Sequence, residues 1–374
     1  MSTPDTTPAT DSLYGDRLPQ AQAVMEQFIS GLRLDRKVLI LCDLDVDGLG
    51  AGVVLWHLLT RRGIEPGLIE VQHPPKGENA FTPSTRGYVA RAHPRALFVL
   101  DLGVSSRIIM HEIPTLMVDH HRPSGLPAVE YVKCISGYDW DPVPTSSLLT
   151  YLLCNSRGEV SDKAWVAAIG NLGDLGPLHS ELDRAAREQK LKWLREATTL
   201  LNAAKRSSLY AGDAAFRVLR DANSAREIVE GEGADIETLR QGRQEVKQAL
   251  DEAKRLAPRF SKTEKVALLE FSSPSRVHPL LAQSWHGRLK GYIVIAANRG
   301  YLPNRVAFSA RTSTATNLIE FLAQFRDALP PNEMEYGYGH DQATGGVISA
   351  EAWEQLKRAM GVERPQVAQV AYRG

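Results

Sequence analysis

Cysteine is scarce in this chain, and an excess of basic residues is missing altogether. Cys42, Cys134 and Cys154 lie far apart and form no C-x-x-C pair. That excludes a small zinc module and a disulfide framework, and it fits a reducing cytoplasm, the expected location. Lysine plus arginine number 44, and so do aspartate plus glutamate, for a formal net charge of zero. A long nonspecific duplex-binding surface brings a basic excess. The balance therefore points to a small or single-stranded substrate held in a local groove. No apolar run reaches the roughly 18 residues of a membrane span. The amino terminus has no apolar signal core, and no membrane partner is expected. There is no internal repeat.

What remains is the composition of an ordinary globular protein, with 43% apolar and 24% charged residues over 374 positions. That length predicts two domains, each with its own core. A Thr-, Pro- and Ser-rich tail is expected over 1–18, a first domain over 19–180, a helical connector over 181–262 and a second domain over 263–374.

Strands and helices alternate in the first domain. Helical spacing covers Gln20 to Arg33, Leu49 to Arg61, Ser146 to Cys154 and Lys163 to Ile169. Short apolar runs at 37–41, 96–100, 115–118 and 129–132 predict strands. This alternation implies a mainly parallel sheet with helices on both faces, an α/β fold. Ligands of such sheets sit beyond the carboxyl ends of the strands. Between about Ser180 and Pro258 charge rises and strands vanish, and a long amphipathic helix carries Ile236, Leu239, Val246 and Leu250. The second domain is a smaller α/β unit. Its strands are expected at 266–271, 291–297 and 305–310, and its helices at 277–289, 317–329 and 350–360.

Four short segments carry the chemistry. They read Asp43-Leu44-Asp45-Val46-Asp47-Gly48, Leu100-Asp101-Leu102-Gly103, Val118-Asp119-His120-His121 and Asn171-Leu172-Gly173-Asp174. The first three directly follow apolar strand candidates. Alternate residues of an extended segment point the same way, so Asp43, Asp45 and Asp47 converge on one side. Like charges so close repel one another and call for cations. Imidazole beside carboxylate suits Mn²⁺, Zn²⁺ or Fe²⁺ better than Ca²⁺. Such a pocket can hold two divalent cations, the usual apparatus for displacing a group at phosphorus.

Taken in order, these segments resemble the motifs of the DHH phosphoesterase superfamily. The Asp-x-Asp-Val-Asp-Gly form and the segment Ala167 to Leu178 look most like its RecJ single-strand exonuclease branch. Gly339-His340-x-x-Ala343-x-Gly345 resembles the Gly-Gly-His motif of the associated DHHA1 domain, and Phe308-Ser309-Ala310-Arg311 its Ser-x-Arg segment. The resemblance covers roughly residues 35–360.

It implies metal ligands at Asp45, Asp47, Asp101, His120 and Asp174, with Asp101 as a bridge and Asp43 as a further ligand or supporting group. Asp119 would orient His120, and His121 would contact the reacting phosphate. Arg311 and His340 would bind substrate phosphate from the second domain, with Gly339 and Gly345 letting backbone approach it. The implied cofactor is Mn²⁺, two ions, with Mg²⁺ serving less well. The implied reaction is hydrolysis of single-stranded DNA or short oligonucleotides from a 5′ end, releasing 5′-mononucleotides, in a cleft between the two domains. Homodimerisation and contact with DNA-repair or replication proteins are the other partner expectations.

Departures from the pattern are local. Tyr338 stands where the motif has its first Gly, and Leu41 where some relatives have His. The segment Arg276-Val277-His278-Pro279 to Leu289 matches the usual RecJ sequence poorly. Little sequence follows Met360, so the further oligonucleotide-binding barrel of long RecJ proteins is not expected. The compact length keeps a second enzymatic reading open: a nanoRNA or 3′-phosphoadenosine 5′-phosphate phosphatase, or a cyclic-dinucleotide phosphodiesterase. An inactive Cdc45-like scaffold is the non-enzymatic rival.

The remaining singled-out residues take structural readings. His57, His73, His93, His111 and His179 match no ligand motif. Trp56, Trp165 and Trp285 read as core. Tyr301, Tyr336 and Tyr338 adjoin the proposed phosphate loops and are the candidates for base stacking. Lys205-Arg206 and Lys254-Arg255 read most simply as solvated helix faces, with steering of a strand toward the cleft as the other reading.

Overall fold

The computed structural model describes residues 14–174, 178–331, 333 and 336–362, with backbone alone for Tyr338 and His340. The described chain forms two compact units. One runs to Lys205 and resumes over Tyr210–Arg240; the other comprises Arg206–Leu209 and the chain from Gln241. The helical stretch after Ser180 thus divides between the units. Most of it packs with the first, through Leu182, Leu194, Leu201, Phe216 and Leu239. Of the tail expected over 1–18, residues 1–13 lie outside the described residues. Tyr14 is buried against Trp140 and Arg17 opens the first helix, so residues 14–18 of the expected tail are part of the fold.

The first unit is built on a five-stranded sheet of β1 (Val38–Cys42), β2 (Ile69–Gln72), β3 (Ala96–Leu100), β4 (Thr115–Asp119) and β5 (Val132–Ser136). All pairings are parallel and the order is β2-β1-β3-β4-β5. Every residue of β1, β3 and β4 is buried, as expected where helices cover both faces of a sheet. Alternate side chains divide between two cores. Ile40, Phe98, Leu100, Leu116 and Val118 pack on one face with α1 (Arg17–Ser30), α2 (Val46–Arg61), α4 (Ser146–Cys154) and α5 (Ala164–Gly173). Leu39, Leu41, Leu97, Val99 and Met117 pack on the other, beside α3 (Pro83–Arg91). Each such side chain contributes about 1.5–3 kcal/mol of burial energy. That two-sided burial holds the three acid-bearing strand ends rigidly in place.

Helices α6 (Ser180–Gln189), α7 (Leu191–Arg206), α8 (Gly212–Asp221) and α9 (Ala225–Glu230) follow, and α10 (Ala234–Ala253) begins in the first unit and ends in the second. The second unit has a six-stranded sheet of β6 (Arg259–Phe260), β7 (Val266–Phe271), β8 (Ile293–Leu302), β9 (Arg305–Thr312), β10 (Tyr336–His340) and β11 (Ala343–Ser349), in the order β10-β11-β9-β8-β7-β6. Only β7 and β8 pair in parallel, joined by the crossover helix α11 (His278–His286). Helices α12 (Leu318–Ala323) and α13 (Ala350–Ala359) cover the other face, where Phe308, Phe321 and Trp353 fill the core. The predicted helix over 317–329 is therefore six residues long, with a separate turn at Arg326–Ala328.

Glu270 anchors this second unit. Its carboxylate accepts from Arg299 Nε at 2.6 Å, from Trp353 Nε1 at 2.8 Å, from Lys357 Nζ and from Arg259. Its side chain is only 9% exposed.

Candidate metal centre

In the first sheet β1 lies between β2 and β3: the chain passes from β1 to β2 on one side and then crosses back to β3 on the other. Such a switch point opens a crevice at the carboxyl ends of the central strands. Asp43, Asp45 and Asp47 follow β1, Asp101 follows β3, and Asp119 to His121 end β4. Helix α5 delivers Asp174 at its carboxyl end. The sheet brings together all six expected metal ligands, although they come from four separate stretches of the chain.

Local backbone needs explain much of this placement. Asp45 caps α2, its Oδ1 accepting from the Gly48 amide at 3.2 Å. A Cβ on Gly48 would lie 2.5 Å from the Asp43 carbonyl oxygen, so only glycine lets the chain turn this tightly. Asp47, in the first turn of α2, is buried and accepts from the Ser146 and Ser147 amides at 2.8 and 2.9 Å. Those amides start α4, whose positive end favours a carboxylate. Asp101 adopts a left-handed conformation with φ of 60° and accepts from Ser146 Oγ at 2.9 Å. Ser146 and Ser147 thus hold two of the acids. The sequence pattern places them at the start of a helix and carries no signal for a part in the site.

Close packing brings in Asp174. A Cβ at Gly170 would stand 2.1 Å from Ser147 Oγ and 3.0 Å from Asp47 Oδ1. We expect Gly170→Ala to destabilise the protein. The gain in helix propensity is at most about 1 kcal/mol. The overlap moves Ser147 and Asp47 at a cost of about 1–3 kcal/mol. A denaturant midpoint at or above that of wild type would contradict this.

The acids converge on His120. Its Nε2 lies 3.6 Å from Asp101 Oδ1, 3.6 Å from Asp174 Oδ2 and 3.8 Å from Asp47 Oδ2. These gaps are too long for hydrogen bonds. They match the spacing of ligands around one shared ion, because two ligands each about 2.1 Å from a cation sit about 3.0–4.2 Å apart. Among the described residues three groupings have their donor atoms within 4.8 Å of one another: Asp47, His120 and Asp174; Asp101, His120 and His121; and Asp43, Asp45 and Asp101. A donor set of carboxylate oxygens with imidazole nitrogen fits Mn²⁺ well, and Mg²⁺ through its oxygens.

The charges are poised for compensation. Burial, then the charges of Asp47 and Asp45, pushes Asp101 well above the usual carboxylate range. Burial and the same two acids raise Asp174 to about 7. Burial also raises Asp47, and it lowers His120, which His121 lowers further. The raised carboxyls mark a site that resists its own negative charge, a resistance that bound cations reverse, while the lowered His120 favours the neutral imidazole that can ligate a metal.

Asp119 makes three close contacts of its own. Its Oδ2 accepts from the Gly103 amide at 2.7 Å. Its Oδ1 accepts from the His121 amide at 2.6 Å and lies 3.1 Å from His121 Nδ1. These bonds orient His121, the neighbour of the histidine that Asp119 was expected to orient. Burial alone would lower His121, but the hydrogen bond and charge of Asp119 outweigh it and raise His121 to about 9. The protonated form of His121 is thereby favoured, and at 38% exposure its ring reaches solvent.

Lys205, expected on a solvated helix face, lies instead against the acids. From the last turn of α7 its Nζ donates to Asp43 Oδ2 at 2.6 Å and to Asp45 Oδ2 at 3.1 Å, with only 15% of the side chain exposed. The amphipathic pattern of α7 carries no signal for this, because both partners lie far back in sequence. A cavity of about 710 Å³ lies at the opposite end of the strands, lined by Val38, Arg95, Ala96 and Lys133, and contains none of these acids.

In the second unit Arg311 lies on β9 opposite Ala343 of β11. Its guanidinium donates to the carbonyls of Ala310 and Thr344 at 2.9 and 3.4 Å. Burial, then the charge of Arg276, lowers its pKa, so two cations sit close together there. Gly339 has φ of 130° and a Cβ on it would meet the Ala343 carbonyl at 2.5 Å; one on Gly345 would meet the Phe308 carbonyl at 2.3 Å. Both glycines thus answer to the close approach of neighbouring strands. The side chains of His340 and Tyr338 lie outside the described residues, as do Leu175, Gly176 and Pro177. Tyr301 and Tyr336, expected to stack on bases, are buried at 6% and 1% exposure and pack within the fold.

No family model and no curated protein matches this chain. Solved structures do. RecJ from Thermus thermophilus in complex with Mn²⁺ matches with a TM-score of 0.68 and 17% identity, over 96% of this chain and 55% of that one. The chain thus spans just over half the length of that protein. The DHH domain of a protein assigned to a family of ribosomal proteins matches with a TM-score of 0.66 and 14% identity, over 93% and 91% of the two chains. An exonuclease RecJ bound to manganese matches with a TM-score of 0.61 and 19% identity, over 95% and 97%. At these identities the likeness establishes the fold alone.

Proposed function

We propose that this chain, which has the RecJ-like α/β fold of DHH-domain proteins, is a metal-dependent phosphodiesterase acting on single-stranded DNA or short oligonucleotides. The observation that carries the reading is His120 Nε2, held 3.6–3.8 Å from the carboxylates of Asp47, Asp101 and Asp174. Those four residues would hold a divalent cation, Mn²⁺ in preference to Mg²⁺. A cation bound there neutralises charge on a phosphoryl group and acidifies water.

The chain's own residues do the rest. Asp119 keeps His121 protonated and fixes its ring, so His121 can donate to a phosphate oxygen as charge builds. Arg311, beside Arg276, offers a planar fork suited to a second phosphate, and His340 is the further phosphate contact. The polarity proposed is from the 5′ end, with release of 5′-mononucleotides.

The test is a time course on end-labelled single strands of two, five and twenty nucleotides, with Mn²⁺, with Mg²⁺ and with chelator. Progressive shortening of the longest strand from its 5′ end, abolished by chelator and restored by Mn²⁺, is the expected result. Cleavage of the dinucleotide alone would move the assignment to a phosphatase of very short oligonucleotides. Undiminished turnover after stringent metal removal would overturn the proposal.

A further inference from the structure

The crowded carboxylates offer donors enough for two cations, yet a lysine ammonium already lies against one of the three donor groupings. Asp43, Asp45 and Asp101 form that grouping. Lys205 Nζ bonds to the outer oxygens of two of its members, at 2.6 Å to Asp43 Oδ2 and 3.1 Å to Asp45 Oδ2. The ammonium is not a passing surface contact. Its side chain is 15% exposed, and those of Asp43 and Asp45 are 23% and 36% exposed. It comes from the last turn of a sixteen-residue helix whose Leu194, Leu200 and Leu201 are buried, so the helix itself aims it. In the grouping of Asp47, His120 and Asp174 the nitrogen belongs to an imidazole, which can coordinate a metal where an ammonium cannot.

We infer that Lys205 takes the place of the second cation, so that the chain binds one Mn²⁺, bounded by Asp47, Asp101, His120 and Asp174. This inference rests on the metal-dependent reading proposed above. A divalent ion bonded to the same Asp43 and Asp45 oxygens at about 2.1 Å would stand directly against the ammonium, cation against cation. An ammonium neutralises carboxylates and offers three protons, but it accepts no ligands. Lys205 is therefore a positioning residue. It holds Asp43 and Asp45 in register and balances their charge.

The count of bound metal tests this without reference to activity. Mn²⁺ is titrated calorimetrically into the metal-free chain, and the loaded protein is studied by electron paramagnetic resonance. Wild type should bind one Mn²⁺ and give the spectrum of an isolated ion. Lys205→Met should bind two and give the spectrum of an exchange-coupled pair, while Lys205→Arg should remain at one. If Lys205→Met does not fold, Lys205→Gln is read in the same way. Two Mn²⁺ in wild type, or one in the uncharged variants, overturns the inference and leaves the proposed function standing. No Mn²⁺ in wild type overturns both.

Discussion

Asp101→Asn should lower single-turnover hydrolysis of a single strand by about 10³-fold or more, the scale of losing one central electrostatic group in an active site. Asparagine is the informative replacement. Asp101 sits at φ of 60°, a region asparagine tolerates and alanine resists. Its Oδ1 can still accept from Ser146 Oγ, so the change removes charge with little change in shape. The same variant should be more stable than wild type when both are free of metal. Burial and the charges of Asp47, Asp45, Asp119 and Asp43 all oppose ionisation of Asp101. Relieving that opposition should add about 1 kcal/mol, as stabilising changes at strained functional sites commonly do. Lower activity together with a higher melting temperature would mark Asp101 as a group kept for chemistry. Retention of hydrolysis within about tenfold of wild type would remove it from the centre of the reaction.

Glu270→Gln should destabilise the second unit by about 3 kcal/mol at neutral pH, the usual penalty for breaking a buried ion pair from one side. Arg259 would then face no carboxylate from Glu270, and Arg299 and Lys357 would keep only that of Glu354. Burial alone would raise the Glu270 pKa. Hydrogen bonds from Trp353 and Arg299, with the charges of Lys357 and Arg299, outweigh it and bring the value down to about 2. A glutamate in an unfolded chain titrates near about 4.3. A group whose folded pKa is depressed contributes stability that is complete above its unfolded value and is lost as the pH falls toward its folded one. The gap between wild type and Glu270→Gln should therefore be full at neutral pH, start to close below about pH 4.3 and be nearly gone at about pH 2. Amide hydrogen exchange in β7, β8 and β9 reads this unit directly. A gap that stays constant over that range would show that Glu270 contributes through packing and not through charge.

Much of this arrangement can be read from sequence because the central strands announce themselves. Leu97 to Leu100 and Leu116 to Val118 are apolar throughout since both faces of the sheet are covered, and an aspartate closes each run. Edges are harder to read. Strand β2 alternates Ile69-Glu70-Val71-Gln72 in only four residues, too short a pattern to stand out. Strand β5 begins at Val132, where the apolar run at 129–132 ends. As an edge strand it carries exposed Lys133 where a central strand would carry an apolar residue. The β10–β11 hairpin is hidden by glycine, which has low strand propensity but is needed where β11 crowds Phe308. In the metal centre, acids at strand ends can be located one by one. The hold of Ser146 and Ser147 on Asp47, the turn of Asp119 toward His121 and the reach of Lys205 to Asp43 cannot. Each depends on contacts between elements whose docking no local pattern encodes.

The position of α5 has a consequence for how the protein is made. Asp174 is the last of the gathered acids to leave the ribosome, and Lys205 follows it after about thirty further residues of synthesis, roughly two to six seconds at common elongation speeds. Until then the growing polypeptide exposes Asp43, Asp45, Asp47 and Asp101 with neither their final carboxylate neighbour nor their lysine. A copy abandoned at mid-synthesis would have a nearly complete sheet and no working centre. The hydrolysis proposed above would thus be withheld from fragments and would switch on only after α5 and α7 have docked.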